Sequence, residues 1–412
     1  MSNENGQLRE ISRNKIKALI AYTARTVALT CASGPLMQTF LSIIGFESDL
    51  IYVHTSILQV ANVLTIVLFS EWVSGKNPIK RSSFALLPTG ILFLVYLPIA
   101  IVREASAAVY VILCAIGVAQ QISIGLFTVC EYKVPYYIYR ADEYGFMLSV
   151  CGIVSSLLSL GTGAVISYFT TRFHFASVMA FAFTAAALLI FVAVICIYLE
   201  KSLIAAKAPT DKPQQKSRLP LITLFKLPIF STLIHANLLR GFAAGIIGVL
   251  ATIALDLGHS ETVTSAMVSV SSAASLIACT IFAISARRIS PRLMLLIGST
   301  IILTLPLMLN ASSVAFTVLF FVITIGRTLI DYSVPSILIK SVSLEIAGSY
   351  HAWRLVLQNA GTLIATAVAA LLPIPMLLIL SAIFQIISGI SFAIATKKAE
   401  RAAKIPSFNH IL

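Results

Sequence analysis

Charge is what this chain has least of. Of its 412 residues, only 11% are Asp, Glu, Lys or Arg, against 58% hydrophobic. Water-soluble domains carry about a quarter charged residues, so a conventional soluble core is excluded. Metal and disulfide signatures are missing too. The six cysteines (Cys31, Cys114, Cys130, Cys151, Cys196 and Cys279) all lie in apolar segments without Cys-x-x-Cys spacing. They read as small buried hydrophobes. There is no His-Glu-x-x-His, no paired His/Cys cluster and no Gly-rich nucleotide loop, so neither an enzyme nor a directly ATP-driven pump is expected. No metal and no cofactor is expected either. Residues 1–17 are polar and lack the apolar core of a signal peptide, so the first span is expected to act as its own insertion signal and to be retained.

What the chain does have is long apolar runs and a repeat. Stretches of about 20 apolar residues cross a bilayer as helices. Spans are predicted at 18–45, 50–73, 82–102, 106–138, 145–170 and 175–199, then at 228–255, 260–285, 291–310, 313–339, 346–372 and 374–396. Between the two sets lies a polar stretch with six basic residues and Pro209, Pro213 and Pro220. The predicted organisation is an N-tail (1–17), a six-helix bundle (18–199), a linker (200–227), a second six-helix bundle (228–396) and a C-tail (397–412). At an offset of 200 residues, Glu131-Tyr132-Lys133-Val134-Pro135 reappears as Asp331-Tyr332-Ser333-Val334-Pro335. Acids inside spans are costly and usually functional. A pair at matching places in two half-chains points to a duplicated transporter fold.

The net charge of +13 would suggest nucleic acid in a soluble protein, but here the basic residues are sorted by loop. With twelve spans, 22 of the 29 Lys and Arg fall on the face of the two termini, two (Arg103 and Arg172) on the other, and five within spans. The positive-inside rule then makes both termini cytoplasmic, in a multi-pass protein of the cell membrane. The basic loops are expected to meet lipid headgroups, and no nucleic-acid partner is expected.

Two six-helix halves, a basic linker and cytoplasmic termini together resemble the major facilitator superfamily of secondary transporters. That family carries a Gly-x-x-x-Asp-Arg-x-Gly-Arg-Arg-like loop after its second span, echoed after the eighth. Here the two loops read Glu71-Trp72-Val73-Ser74-Gly75-Lys76-Asn77-Pro78-Ile79-Lys80-Arg81 and Ser285-Ala286-Arg287-Arg288-Ile289-Ser290-Pro291-Arg292. Basic residues survive, while the Asp and most of the Gly do not. The resemblance implies an all-α membrane protein of 12 transmembrane helices, two six-helix bundles related by a pseudo-two-fold axis along the membrane normal. It also implies that the first and fourth helix of each half line a central cavity.

Those helices carry the intramembrane charges: Arg25 and Arg240 on the first and seventh spans, Glu131 and Asp331 on the fourth and tenth. At about 1.5 Å of rise per residue, the arginine and the acid of each half lie at comparable depth. One reading is a neutralising ion pair in each half, with Arg327 one turn from Asp331 and able to share it. Such pairs often stabilise no better than apolar replacements. The other reading starts from imbalance. Arg25, Arg240, Arg327 and Arg354 face two carboxylates, and an anionic solute relieves that surplus, because the guanidinium fork binds carboxylate or phosphate at two points. Paired arginines on the first and seventh spans also resemble the organophosphate-exchange branch of the superfamily. The acids can carry coupling protons, since burial favours their neutral form and a nearby arginine reverses that preference.

The expected substrate contacts are Arg25, Arg240, Arg327, Gln120, His235, Asn237, Tyr132 and Tyr332. Glu131, Asp331, Pro135 and Pro335 are expected to couple or gate, the prolines by kinking or ending their helices. His54, Gln59, Asn62, Gln358 and Asn359 are read as interhelical hydrogen bonds, whereas Gln121, like Gln120, lies on an expected cavity helix, and at most one of these two neighbours is expected to face the lumen. The function these residues predict is secondary active transport by alternating access of a small polar, anionic organic solute, phosphorylated solutes included, coupled to protons or by exchange. The alternatives are a neutral sugar or drug carrier of the same fold, and a receptor that does not transport. The expected partners are the solute, protons and membrane lipids, and the expected state is monomeric.

Overall fold

The computed structural model describes the chain apart from residues 1, 33–34, 70–77, 103–104, 132–133, 135–143, 171, 201–227, 286–287, 342–343 and 404–412. Tyr132, Pro135, most of the loop after the second span, Arg287 of the eighth-span loop, and the linker from 201 onward lie outside the described residues.

The first span is α1 (Ser2–Ala32) followed by α2 (Pro35–Ile44), and the second is α3 (Ser48–Phe69). The third consists of α4 (Pro78–Val95) and α5 (Leu97–Val102). Then come α6 (Ala107–Glu131), α7 (Tyr144–Thr170) and α8 (Phe175–Tyr198). The second half repeats the order with α9 (Pro228–Gly248), α10 (Leu250–Asp256), α11 (Glu261–Ser285) and α12 (Pro291–Ile301), which continues as a 3₁₀ stretch, Ile302–Asn310. It ends with α13 (Ser313–Ser341), α14 (Leu344–Ala369) and α15 (Ile374–Ala403). Among the described residues nine helices are long and apolar enough to span alone, and ten if α9 and α10, bent by 49°, are taken as one.

Several breaks have local causes. Pro98 and Pro306 lack an amide proton and crowd the preceding turn, and they lie at the α4–α5 break and in the 3₁₀ stretch. Pro335 does not end its helix, because α13 runs on to Ser341. Gly45 and Gly258, after α2 and α10, take positive φ values of 111° and 83°. Only glycine adopts these readily, so the first and seventh spans stop with the same device.

The packing follows the pseudo-two-fold. In the first half α1 packs on α7 and α8, and α6 on α3 and α4; in the second α9 packs on α14 and α15, and α13 on α11 and α12. The halves meet through α7 against α11 and α3 against α14. Each half has its own apolar core, which accepts one residue from the other: Tyr52 enters the second and Val268 the first. Leu68, Ile101, Ile284 and Val314 lie exposed on the outside, where a bilayer would cover them.

Small residues set the closest approaches. Gly241 meets the Gln358 backbone and Gly361 the Leu238 backbone, so α9 and α14 touch main chain to main chain.

Candidate functional site

The first and fourth spans of each half bring the predicted charges together. Arg25 Nη1 lies 2.6 Å from Glu131 Oε2. In the second half Arg240 Nη2 lies 3.3 Å from Asp331 Oδ1, and Arg327 Nε lies 3.7 Å from Asp331 Oδ2. The arginines of the first and seventh spans are the covered members of their pairs. The side chains of Arg25 and Arg240 are 15% and 9% exposed, against 33% for Glu131 and 45% for Asp331, while Arg327 is 44% exposed. The more exposed groups are therefore the two acids and Arg327.

The halves differ where they would be expected to match. Four residues before Glu131 stands Phe127, and four before Asp331 stands Arg327. The Arg25 guanidinium lies over the Phe127 ring, 4.7 Å from its centroid, and 5.4 Å from that of Tyr22. An aromatic face attracts a cation without changing the charge count. The first half thus balances one arginine with one acid, whereas Asp331 is shared between two arginines, an excess of one positive charge among the described residues of these pairs.

Tyr332 ties these clusters across the interface. Its hydroxyl lies close to Tyr22 of α1 and Cys279 of α11. The ring sits where Gly152 of α7 has no side chain, and a Cβ there would collide with the hydroxyl. A second polar bridge crosses elsewhere: Asn359 Nδ2 donates to Asn62 Oδ1 at 2.6 Å, and Asn62 Nδ2 to Gln121 Oε1 at 3.0 Å.

The remaining predicted contacts lie on α6 and α9. Gln120 is buried, and its neighbour Gln121 makes the bridge. Asn237 is buried and donates to the Leu233 carbonyl one turn back. His235 is exposed, with Nδ1 2.7 Å from the Ser231 carbonyl. Among the described residues there is no group of three or more His, Cys, Asp or Glu that could hold a metal ion.

Sequence reasoning missed the contacts at the end of the bundle that carries the turns at 45–47, 257–260 and 370–373. There Ser48 Oγ and Tyr52 OH donate to Asp256 at 2.6 and 2.9 Å, Thr39 bonds Thr264 at 3.1 Å, and Ser56 bonds Thr366 at 2.9 Å. The Gln38 amide bonds both Gly248 and Thr252. Every one of these bonds joins one half to the other. Polar residues near the loop ends of spans were the available signal, but their partners lie more than 200 positions away.

Comparison with known proteins agrees with this architecture. Among solved structures, a bacterial homologue of the iron transporter ferroportin, in an outward-facing state, superposes with a TM-score of 0.67 at 13% identity, covering 95% of this chain and 99% of that one. The Escherichia coli fucose:proton symporter FucP gives 0.64 at 14%, covering 92% and 98%. The human organic anion transporter MFSD10 gives 0.60 at 14%, covering 94% and 99%. At such identities the likeness is one of fold. No curated protein matches the chain by sequence. The profile of the Major Facilitator Superfamily matches residues 18–366, and the chain belongs to that superfamily.

Proposed function

We propose that the chain is a secondary transporter that carries a small organic anion by alternating access, with Arg327 as the first contact of the anionic group. The observation that carries this reading is the unequal pairing of the two acids, since Glu131 meets one arginine and Asp331 meets two. A carboxylate or phosphate arriving at the half-exposed Arg327 offsets the excess charge and leaves Arg240 on Asp331. Arginine suits the task, because its fork fits such groups at two points. Arg25 and Arg240, the more covered pair, then act through their acids, and the substrate reaches Arg327 first.

Coupling follows from the same pairs. Arg327 turns from Asp331 to the substrate and returns when the substrate leaves, so solute binding and the Asp331 ion pairs are coupled. Asp331 is placed for this step by its two long contacts, whereas Glu131 is held at 2.6 Å. Both termini are assigned to the cytoplasm, on the face with 22 basic residues against two.

One observation favours a neutral sugar or similar solute: Arg25 and Arg240 are already paired and are the less exposed partners. Thermal stabilisation of the purified protein separates the two readings, because a ligand that binds the folded state raises the melting point by mass action. The panel is carboxylates, sugar phosphates, neutral sugars and cationic drugs. Stabilisation by one anion class, lost in Arg327→Gln, supports the anion reading. Stabilisation by neutral or cationic solutes that persists in Arg327→Gln overturns it.

A further inference from the structure

The seventh span is broken at Val249, and no proline explains the break. The segments on either side, Ser231–Gly248 and Leu250–Asp256, meet at 49°. Gly248 and Thr252 are four residues apart, the spacing at which an α-helix joins carbonyl to amide. Here a side chain from the other half stands between them. Gln38 Nε2 donates to the Gly248 carbonyl at 2.8 Å, and Gln38 Oε1 accepts from the Thr252 amide at 3.3 Å and its hydroxyl at 3.1 Å. One carboxamide thus satisfies two of the backbone groups at the break, in a place where Gln38 is 5% and Thr252 0% exposed. Bare backbone groups are costly inside a membrane.

The far end of α10 is held by the same half. Asp256, its last residue, accepts hydrogen bonds from Ser48 Oγ and Tyr52 OH, and α10 packs on α2 and α3. The tip Leu250–Asp256 belongs to the second half by chain, yet the first half holds it at both ends.

We propose that Gln38 is a positioning residue that keeps the seventh span bent while the halves are closed at this end. When they part here, Gln38 withdraws, the Thr252 amide falls back on the Gly248 carbonyl, and the tip straightens. The hydrogen bonds lost across the interface are partly replaced within the helix, so opening leaves neither the Gly248 carbonyl nor the Thr252 amide bare. A tip of seven residues is about 10 Å long, and undoing the bend swings its end by about 8 Å. The proposal rests on the alternating-access reading, but its test needs no substrate, so a wrong substrate class leaves it standing.

The test is electron–electron distance measurement in nanodiscs on a cysteine-free background. Spin labels at Ser260 and Leu371 read the tip against its own half, and labels at Ala107 and Leu371 read the separation of the halves. Gln38→Leu, which keeps the bulk and loses all three bonds, is expected to lengthen or split both distributions by several ångström. Gln38→Glu supplies its own rescue. Protonated, it donates to Gly248 and accepts from Thr252; ionised, it cannot donate. Its distributions are therefore expected to match the parent at low pH and Gln38→Leu at high pH, a reversal that loss of packing would not produce. Should Gln38→Leu not fold, Thr252→Val, which removes one of the three bonds, is expected to give a smaller shift in the same direction. Overturning results are an unchanged Ser260–Leu371 distance in the variants, or halves that separate while that distance stays fixed.

Discussion

Phe127 and Arg327 stand at equivalent turns of the two halves, yet one is a ring beneath Arg25 and the other a second cation on Asp331. The anion reading depends on that difference. Arg327→Phe makes the second half resemble the first and removes the excess charge. Half-saturating anion concentration, measured by flux into proteoliposomes, is expected to rise at least tenfold, or about 1.4 kcal/mol. An unchanged value would place the anion elsewhere.

The Arg25–Glu131 pair is expected to behave as a unit. Glu131→Gln leaves a mostly covered guanidinium without its counter-charge, and the melting point should fall by the equivalent of about 2 kcal/mol, less than for a fully buried pair. Replacing Arg25 by Met in the same molecule should restore much of the loss, as a double-mutant cycle of melting temperatures would report. Additive losses would show that the two side chains do not depend on each other.

Gly152 gives Tyr332 its seat, so Gly152→Ala should push the ring away from Tyr22 and loosen the halves at that end. The buried thiols Cys151 and Cys279 lie at this contact. Their maleimide reaction rate is expected to increase several-fold, while that of Cys114, on the far part of α6, stays constant. Equal rates in variant and parent would mean that the contact does not close this end.

Glu200 provides a pH test outside the spans. Burial pushes its carboxyl up to about 8, and Lys17 opposes part of that rise. The folded protein therefore keeps a proton that the unfolded chain releases near pH 4.5, the ordinary value. Between about pH 4.5 and 8 stability should decline as pH rises, with no further loss from this group above that window. Melting curves of Glu200→Gln should lack that decline, and an identical slope in both proteins would assign it to other groups.

Gly361→Ala places a methyl group against the Leu238 main chain. Overpacking of this kind costs about 1–3 kcal/mol. Gly161→Ala, at a glycine with open space around it, is the matched control and should melt with the parent.

Much of the fold was legible, because apolar runs of bilayer length and a repeated acid are local signals. The pairing of Arg25 with Glu131 and Arg240 with Asp331 was also legible, since helical rise places them at comparable depth. Phe127 was not: an apolar residue in an apolar helix carries no signal until the cation above it is known. The bend at Val249 was hidden for a different reason. Gly248 alone does not break a helix, and the group that holds the break open comes from Gln38, whose own neighbours suggest only a membrane-facing helix. Tyr332 was singled out by its repeat, but its seat at Gly152 depends on a helix of the other half.

The two separate cores have a consequence for how the protein is made. Among the described residues nearly all the side chains that fill each of the two large cores come from one half; Tyr52 and Val268 cross over, and a small cluster of Ile66, Val129 and Cys130 with Leu355 straddles the halves. The first six spans can therefore pack while the ribosome is still translating the last six, with the seats of Tyr52 and Val268 left as sockets for later docking. Assembly of the finished molecule then becomes an encounter between two preformed bodies inside the bilayer. Halves produced as separate polypeptides are expected to find each other there.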